Sequence, residues 1–332
     1  MMLGPRTKSR IRFYGGTVAL LAGAAAFATV MPGRSFRGDA PLTARETAYE
    51  PLLRAHVTAL AGTIGERHTR LPAKLRAAAD YLTEALRSSG YTVHEHPYVV
   101  DLTRSVTLDA DLPGTTPGDI LVVGAHYDSA TGAPGADDNG SGAAAVLALA
   151  HAMFGRPLRT TVRFALFANE EPPYFATRSM GSLVYAEELK ARGDHIVGML
   201  SLESIGYFSD QPGSQRYPGA VSLFYPDRGD FVAFVSNLSS RSFLRDAVRA
   251  FRREAHVPSE GGALPAGLPG VDWSDQRSFW AIGVPALMVT DTAIFRNPNY
   301  HQPTDRPDTV DYPRFTRVVA GLEDVIVDLA SL

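Results

Sequence analysis

Short apolar runs separated by amphipathic stretches fill this chain from about residue 49 onward. Two stretches carry apolar residues at helical spacing. Leu52, Leu53, Val57 and Leu60 share one face over residues 49–61, and Leu75, Ala79, Leu82 and Leu86 share one over residues 72–88. Pro72 suits a first helical turn, where its missing N–H costs nothing, and Gly90 suits a stop. Residues 91–100 read as a strand. Five apolar runs too short for helices follow, over residues 120–125, 162–168, 196–202, 221–225 and 286–290. Helical stretches alternate with them near residues 141–154, 182–192, 229–237, 243–254 and 312–329, with Ser182 placed to cap its helix. Strands buried on both faces look like this, and their alternation with helices predicts an α/β fold, a three-layer α/β/α sandwich. Residues 259–270, rich in Gly and Pro, read as a loop, and there are no internal repeats.

The N-terminus carries a different pattern. Arg6, Lys8, Arg10 and Arg12 precede an apolar run over residues 14–31, with no acid between them. A basic flank followed by such a run reads as an export signal. Ala26-Phe27-Ala28 fits a small-x-small cleavage site, and a run of about 18 residues is also just long enough to span a bilayer. Residues 1–31 are therefore expected to be a signal peptide or an N-terminal membrane anchor. Residues 32–40 form a linker and residues 41–332 a single domain. In both cases the positive flank stays inside. The rest of the chain is then exported, whether periplasmic, extracellular or anchored to the outer face of the cytoplasmic membrane.

Composition narrows the function. Of 332 residues, 45% are hydrophobic and 20% charged, which is globular rather than disordered or fibrous. A net charge of −3 leaves no basic footprint for nucleic acid, and no nucleic-acid-binding motif appears. The chain has no cysteine, which excludes disulfides, thiolate metal sites and cysteine nucleophiles.

Five residues at the ends of apolar runs are possible metal ligands: His126, Asp138, Glu171, Glu203 and His301. Around them read His126-Tyr127-Asp128, Gly135-Ala136-Asp137-Asp138-Asn139, Asn169-Glu170-Glu171, Leu202-Glu203-Ser204 and Tyr300-His301-Gln302-Pro303. Singly, each has an ordinary explanation; an Asp-Asp-Asn-Gly run, for instance, is usually a turn. Together, two histidines and three carboxylates suit a pair of borderline divalent ions, usually zinc. His126, the Glu170–Glu171 pair and Glu203 each follow the last apolar residue of a predicted strand, and ligands of open α/β sheets bind beyond those ends. Asp128 could accept a proton from the second imidazole nitrogen of His126 and so fix its tautomer. Glu170 and Glu171 point apart on an extended strand end, so one can bind metal while the other faces an attacking water. Glu170 is thus a candidate general base, and the set points to metal-assisted hydrolysis.

These motifs resemble the zinc-dependent exopeptidases typified by bacterial leucyl aminopeptidases, a family that includes glutamate carboxypeptidases, glutaminyl cyclases and transferrin receptors. The resemblance covers residues 52–329, with His-x-Asp, Gly-Ala-Asp-Asp-Asn, Asn-Glu-Glu, an acid after a strand and a late Tyr-His in matching order. It implies a mixed, mostly parallel central sheet and two zinc ions per chain, with one ion as the alternative. Asp138 would bridge them, His126 and Glu203 would complete one site, Glu171 and His301 the other, and Glu170 would be the base. The implied substrates are peptides with a free N-terminus, whose α-ammonium a carboxylate near one zinc could hold. The aromatics Tyr174, Phe175, Phe208, Tyr225 and Phe295 suit an apolar first residue.

The same family site also serves carboxypeptidases, glutaminyl cyclases and non-catalytic binding proteins. Arg178 and Arg296 are the guanidiniums a carboxypeptidase reading would need. Three departures stand out. Glu203 lies where many relatives carry Asp. Gln276 follows Ser274-Asp275 where a His is common. No tyrosine is placed by sequence near an oxyanion; Trp273 and Tyr300 are only neighbours of the motifs.

Overall fold

In the computed structural model, which describes residue 23 and residues 25–331, eight strands form one sheet in the order β1-β2-β4-β3-β5-β8-β6-β7. The strands are β1 (Val93–Val100), β2 (Thr103–Leu112), β3 (Asp119–His126), β4 (Thr161–Phe167), β5 (His195–Glu203), β6 (Val232–Ser236), β7 (Ser259–Ala263) and β8 (Ala286–Thr290). Neighbours β4, β3, β5 and β8 run parallel. The β1–β2 hairpin extends this centre antiparallel on one side. On the other side β6 is antiparallel to β8 and β7 parallel to β6. The sheet is therefore mixed around a parallel centre, as the resemblance implies.

Alternation along the central strands separates two cores. Leu121, Val123, Phe164, Leu200 and Val289 face the larger one. There they meet α1 (Ala44–Val57), α2 (Pro72–Ser88), α3 (Gly140–Met153), α5 (Arg241–Glu254) and α7 (Tyr312–Ser331). Val122, Ala165, Phe167 and Met199 face the smaller core, formed with α4 (Gly181–Arg192) and α6 (Gln276–Ala281). This gives three layers. The small residues that begin α3 let it lie against the sheet. A Cβ on Gly142 would come 2.3 Å from the Leu202 carbonyl oxygen, so only glycine fits there.

Five local readings change. Residues 221–225 do not enter the sheet: a 3₁₀ turn spans Gly219–Leu223, and Leu223 and Phe224 are exposed. Residues 229–237, expected as a helix, contain β6, whose Val232 and Phe234 face the larger core while Ala233 and Val235 face the other side. The expected loop at 259–270 begins with β7, a Ser-Glu-Gly-Gly-Ala stretch of low strand propensity held by its ladder to β6. The polar-looking β2 was not expected, because its Ser105, Thr107 and Asp109 are buried. Asp109 accepts hydrogen bonds from Tyr185 at 2.5 Å and pairs with His94 and His96 at 2.9 Å. Finally, Met180 flanks the start of α4 with no side-chain cap, and Ser182 instead meets Ser278, with 2.9 Å between their hydroxyls.

Of the N-terminal segment expected as a signal or anchor, residues 1–22 and 24 lie outside the described residues. No helix among the described residues is long and apolar enough to cross a membrane. Residues 32–40 have no regular structure, yet they are strapped to the body. Met31 packs where Gly261 leaves room, the Ser259 N–H donates to Ser35 Oγ at 2.8 Å, and Arg317 donates to the Ala40 carbonyl. The strap thus covers β7, the last strand of the sheet.

Arg67 ties the loops that carry the site. It is wholly buried and donates to the carbonyls of Tyr127 and Pro134 at 2.5 Å and of Gly135 at 2.9 Å. Burial lowers its pKa to about 10 against the pull of Asp128 and Asp305, so it stays charged at neutral pH. Arg67→Met removes these donors and leaves buried carbonyls unmatched. It should destabilise the protein by about 3 kcal/mol or more, read as a lower urea midpoint; a midpoint within error of wild type would contradict this role.

Candidate metal centre

The carboxyl ends of β3, β4 and β5 bring the candidate side chains to one crevice. His126 ends β3 and Glu203 ends β5, while Glu170 and Glu171 follow β4. Asp138 lies in the turn before α3, and His301 comes from the loop before α7. Three of these corners use the left-handed backbone region, which non-glycine residues rarely adopt: Asn169 at φ 59°, Ser204 at φ 46° and His301 at φ 57°. Each is a candidate ligand or lies beside a candidate ligand or base, and strain of this kind commonly marks functional sites.

The five candidates form two groups that share Asp138. His126, Asp138 and Glu203 make one group, and Asp138, Glu171 and His301 the other, with the ligand atoms of each group within 4.8 Å of one another. His126 Nε2 is 3.0 Å from Glu203 and 3.6 Å from Asp138 Oδ1. His301 Nε2 is 3.1 Å from Asp138 Oδ2 and 3.0 Å from Glu171. Glu170, next to Glu171 in the chain, stands 3.8 Å from His126 Nε2.

Neighbouring groups hold these side chains in place. Asp128 sits 3.4 Å from His126 Nδ1, as the His-x-Asp spacing suggests. It also accepts the backbone N–H groups of Glu170 at 3.1 Å and Glu171 at 3.2 Å, so one carboxylate orients both the imidazole and the Glu-Glu peptide. Asp305 does the same for the Asp137 and Asp138 amides, at 2.9 and 3.1 Å. Asn139 caps α3 and stitches the turn to β5, accepting from Gly142 and Ser204 and donating to the Leu202 carbonyl. Glu203 accepts from Ser274 at 2.7 Å and Ser204 at 2.9 Å. Ser274, Asn139 and Ser204 lie inside the motifs read from the sequence but carry no role there, and Asp305 lies in none of them. Gln276 is buried and donates to the Val271 carbonyl, away from the five candidates.

The electrostatics are those of acids crowded out of water. Burial pushes Glu170 well above the usual carboxylate range, and Glu171 and Glu203 add to the rise while His126 opposes it. Burial, then Asp138, raises Glu171 to about 8. For His126 and His301 burial favours the neutral form, but facing carboxylates win: His126 is raised well above its ordinary value and His301 to about 10. Asp138 is lowered despite burial, because His301 and His126 face it. Among the described residues, Asp138 Oδ2, Glu171 Oε1 and His301 Nε2 are buried without a hydrogen-bond partner although they lie close together. Such atoms are costly to leave unmet. A divalent cation would satisfy them, and the oxygen and nitrogen donors suit zinc.

A cavity open to solvent adjoins the centre, lined at that end by Glu203 and Tyr300. The ring of Tyr300 stacks on His301 with centroids 3.9 Å apart. Of the aromatics expected to shape a pocket, Tyr225 and Phe295 line this cavity. Phe208 packs in the core, and the Tyr174 hydroxyl bonds Asp101 and Thr69. Arg296 is buried and donates to Gln215 and the Phe231 carbonyl, whereas Arg178 is exposed.

Known proteins are similar to this chain. The model of peptidase family M28 matches residues 108–326. The uncharacterised protein YfbL of Escherichia coli (strain K12) is 36% identical over 85% of this chain and 88% of its own length. Leupeptin-inactivating enzyme 1 of Streptomyces exfoliatus is 31% identical over 77% of this chain, which spans 58% of that enzyme. Among solved structures, BSAP, a zinc aminopeptidase from Bacillus subtilis, superposes with a TM-score of 0.68 at 14% identity, covering 85% of this chain and 95% of its own. At that identity the likeness speaks for the fold.

The shared Asp138 makes a metal prediction. Zinc at about 100 times its Kd should stabilise the protein by about 2.7 kcal/mol, raising Tm by roughly 5–10 °C, and a chelator should reverse the shift. Elemental analysis should approach two ions per chain. Asp138→Ala should abolish the zinc-dependent shift, and a variant that kept it in full would remove Asp138 from the centre.

Proposed function

The chain belongs to peptidase family M28, and from that premise we propose that it is a zinc aminopeptidase that removes N-terminal residues from peptides. The observation that carries this reading is the pair of three-residue groups sharing Asp138, with Glu170 3.8 Å from His126. In it, His126, Asp138 and Glu203 would hold one ion, and Asp138, Glu171 and His301 the other. Two zinc ions bound there would lower the pKa of a shared water towards neutrality and polarise the scissile carbonyl.

The chain's own residues supply the proton transfers. Glu170 takes the proton of the attacking water on its carboxylate and returns it to the leaving amine. General acid–base transfer of this kind is typically worth about 10²–10⁴ in rate. Its burial among other acids helps it hold that proton between the two transfers. Asp128 keeps Glu170 aimed by gripping its backbone N–H. The surrounding carboxylates favour a substrate α-ammonium. A carboxypeptidase would need a cation for the opposite terminus, and Arg296 is already engaged by Gln215 and the Phe231 carbonyl. In the same reading residues 1–31 direct export, and the body from residue 41 works as one domain outside the cytoplasm.

The zinc-loaded protein should hydrolyse aminoacyl anilides and lose most activity when their N-terminus is acetylated. Glu170→Gln should keep its metal and lose at least 100-fold in kcat, within the usual worth of such a base. Faster turnover of acetylated peptides with release of the C-terminal residue would make it a carboxypeptidase. Ammonia release from N-terminal Gln without hydrolysis would make it a cyclase.

Reporter fusions placed beyond Ala40 should be active outside the cytoplasm, and activity confined to the cytoplasm refutes export. Intact mass then separates the modes. A start near Thr29 means cleavage after Ala28, and retention of Met1 in a membrane fraction means an anchor.

A further inference from the structure

The row of residues that crosses the sheet at the metal centre ends on a second carboxylate. Glu203 pairs with Thr290, Thr290 with Ala233, and Ala233 with Glu260. Residues paired across a sheet point to the same face, so Glu203 and Glu260 stand on one face three strand spacings apart, about 14 Å. The two residues between them are small. This is the face that α4 and α6 cover elsewhere, and over β8, β6 and β7 the cavity takes the place of a helix. Glu203, Thr290, Ala233 and Glu260 all line it.

The cavity's walls suit a long stem with a flat, charged end. Tyr217 and Tyr225 stack on each other with centroids 5.8 Å apart and line it, and the Tyr225 hydroxyl donates to the Gly261 carbonyl, next to Glu260. Glu260 is the charged group there, and among the described residues no hydrogen bond reaches its carboxylate. Its nearest cation is Arg252, at 4.0 Å. That guanidinium directs its hydrogen bonds to Ser259 Oγ, the Ser259 carbonyl and the Pro32 carbonyl instead. Burial raises the pKa of Glu260 and Asp230 adds to this, while Arg252 and Arg37 oppose it. A half-buried carboxylate among apolar walls gains most from a cation that brings its own apolar stem.

We infer that this cavity receives the side chain of the substrate's first residue and that Glu260 selects one ending in a cation, arginine or lysine. This rests on the aminopeptidase reading for which residue enters. An extended arginine side chain reaches roughly 7 Å from its Cα, and the offset of that Cα from the scissile carbonyl and the reach of Glu260 cover the remainder. The methylenes lie against Thr290 and Ala233, and the tyrosine faces meet the guanidinium. Norleucine, of similar length and neutral, fills the walls and leaves Glu260 without a partner.

The test uses zinc-loaded full-length protein, wild type and Glu260→Gln. Calorimetry measures binding of L-argininamide, L-lysinamide and L-norleucinamide, and kcat/KM is read on the matching anilides. In wild type the basic amides should bind about 10–100-fold tighter than norleucinamide, the range for a hydrogen bond to a charged partner. Glu260→Gln should collapse that ratio. Norleucinamide binding as tightly as argininamide, or a ratio untouched by Glu260→Gln, overturns the inference even if anilides are hydrolysed. If no anilide is turned over, the aminopeptidase reading fails, while the amide ratio still decides what the cavity selects.

Discussion

The structure depends on keeping a cluster of acids where water hardly reaches. Asp128, Asp138, Glu170, Glu171 and Glu203 are each no more than 6% exposed. Buried carboxylates lose hydration and repel one another, so each needs a partner. The fold supplies backbone amides to the outer ones: Asp128 takes two N–H groups after β4, Asp305 takes two before α3, and Asp137 takes that of Gly206. Arg67 and Arg296 add buried positive charge nearby. Among the described residues, the buried atoms left without a hydrogen bond include Asp138 Oδ2, Glu171 Oε1 and His301 Nε2, which lie close together. Asp128, Asp137 and Asp305 are thus met by backbone amides, while the unmet atoms of Asp138, Glu171 and His301 gather at one point, where a cation can meet them.

That division explains why the sheet is built as it is. Parallel neighbours β4, β3 and β5 end on the same side, so residues far apart in sequence arrive together without long side chains having to search for one another. The corners at Asn169, Ser204 and His301 turn the chain sharply in the left-handed region, which keeps side chains aimed inward instead of along the strand. Such conformations persist because the surrounding hydrogen bonds over-determine them. Asp128 contributes most directly, since it couples the orientation of His126 to the peptide that carries Glu170.

Much of this was legible because the signals were local. His126, Glu203 and the Glu170–Glu171 pair follow strongly apolar runs, and α2 shows its buried face at helical spacing. What escaped was set by partners distant in sequence. β2 looked polar because its Asp109 is buried against His94, His96 and Tyr185, which no periodicity reveals. β6 was mistaken for a helix and residues 221–225 for a strand, because a short apolar run does not say which neighbour it will meet. β7 has almost no intrinsic preference for extension and is a strand only because β6 lies beside it. Ser274, Asn139 and Asp305 support the centre through a few ordinary hydrogen bonds each, and serines, asparagines and aspartates do that throughout any fold.

The strap has a consequence in time. Ser35 meets Ser259 and Ala40 meets Arg317, contacts 224 and 277 residues apart in the chain. This early-made segment therefore closes the edge strand β7 only after nearly everything else has emerged. Contacts of such long range form late, because loop closure must precede any gain from them. Until then β7 presents an open strand edge, the kind of surface on which chains pair wrongly. Completion of the fold and protection of its weakest edge are one event, and it involves the segment that joins the body to the N-terminal apolar run.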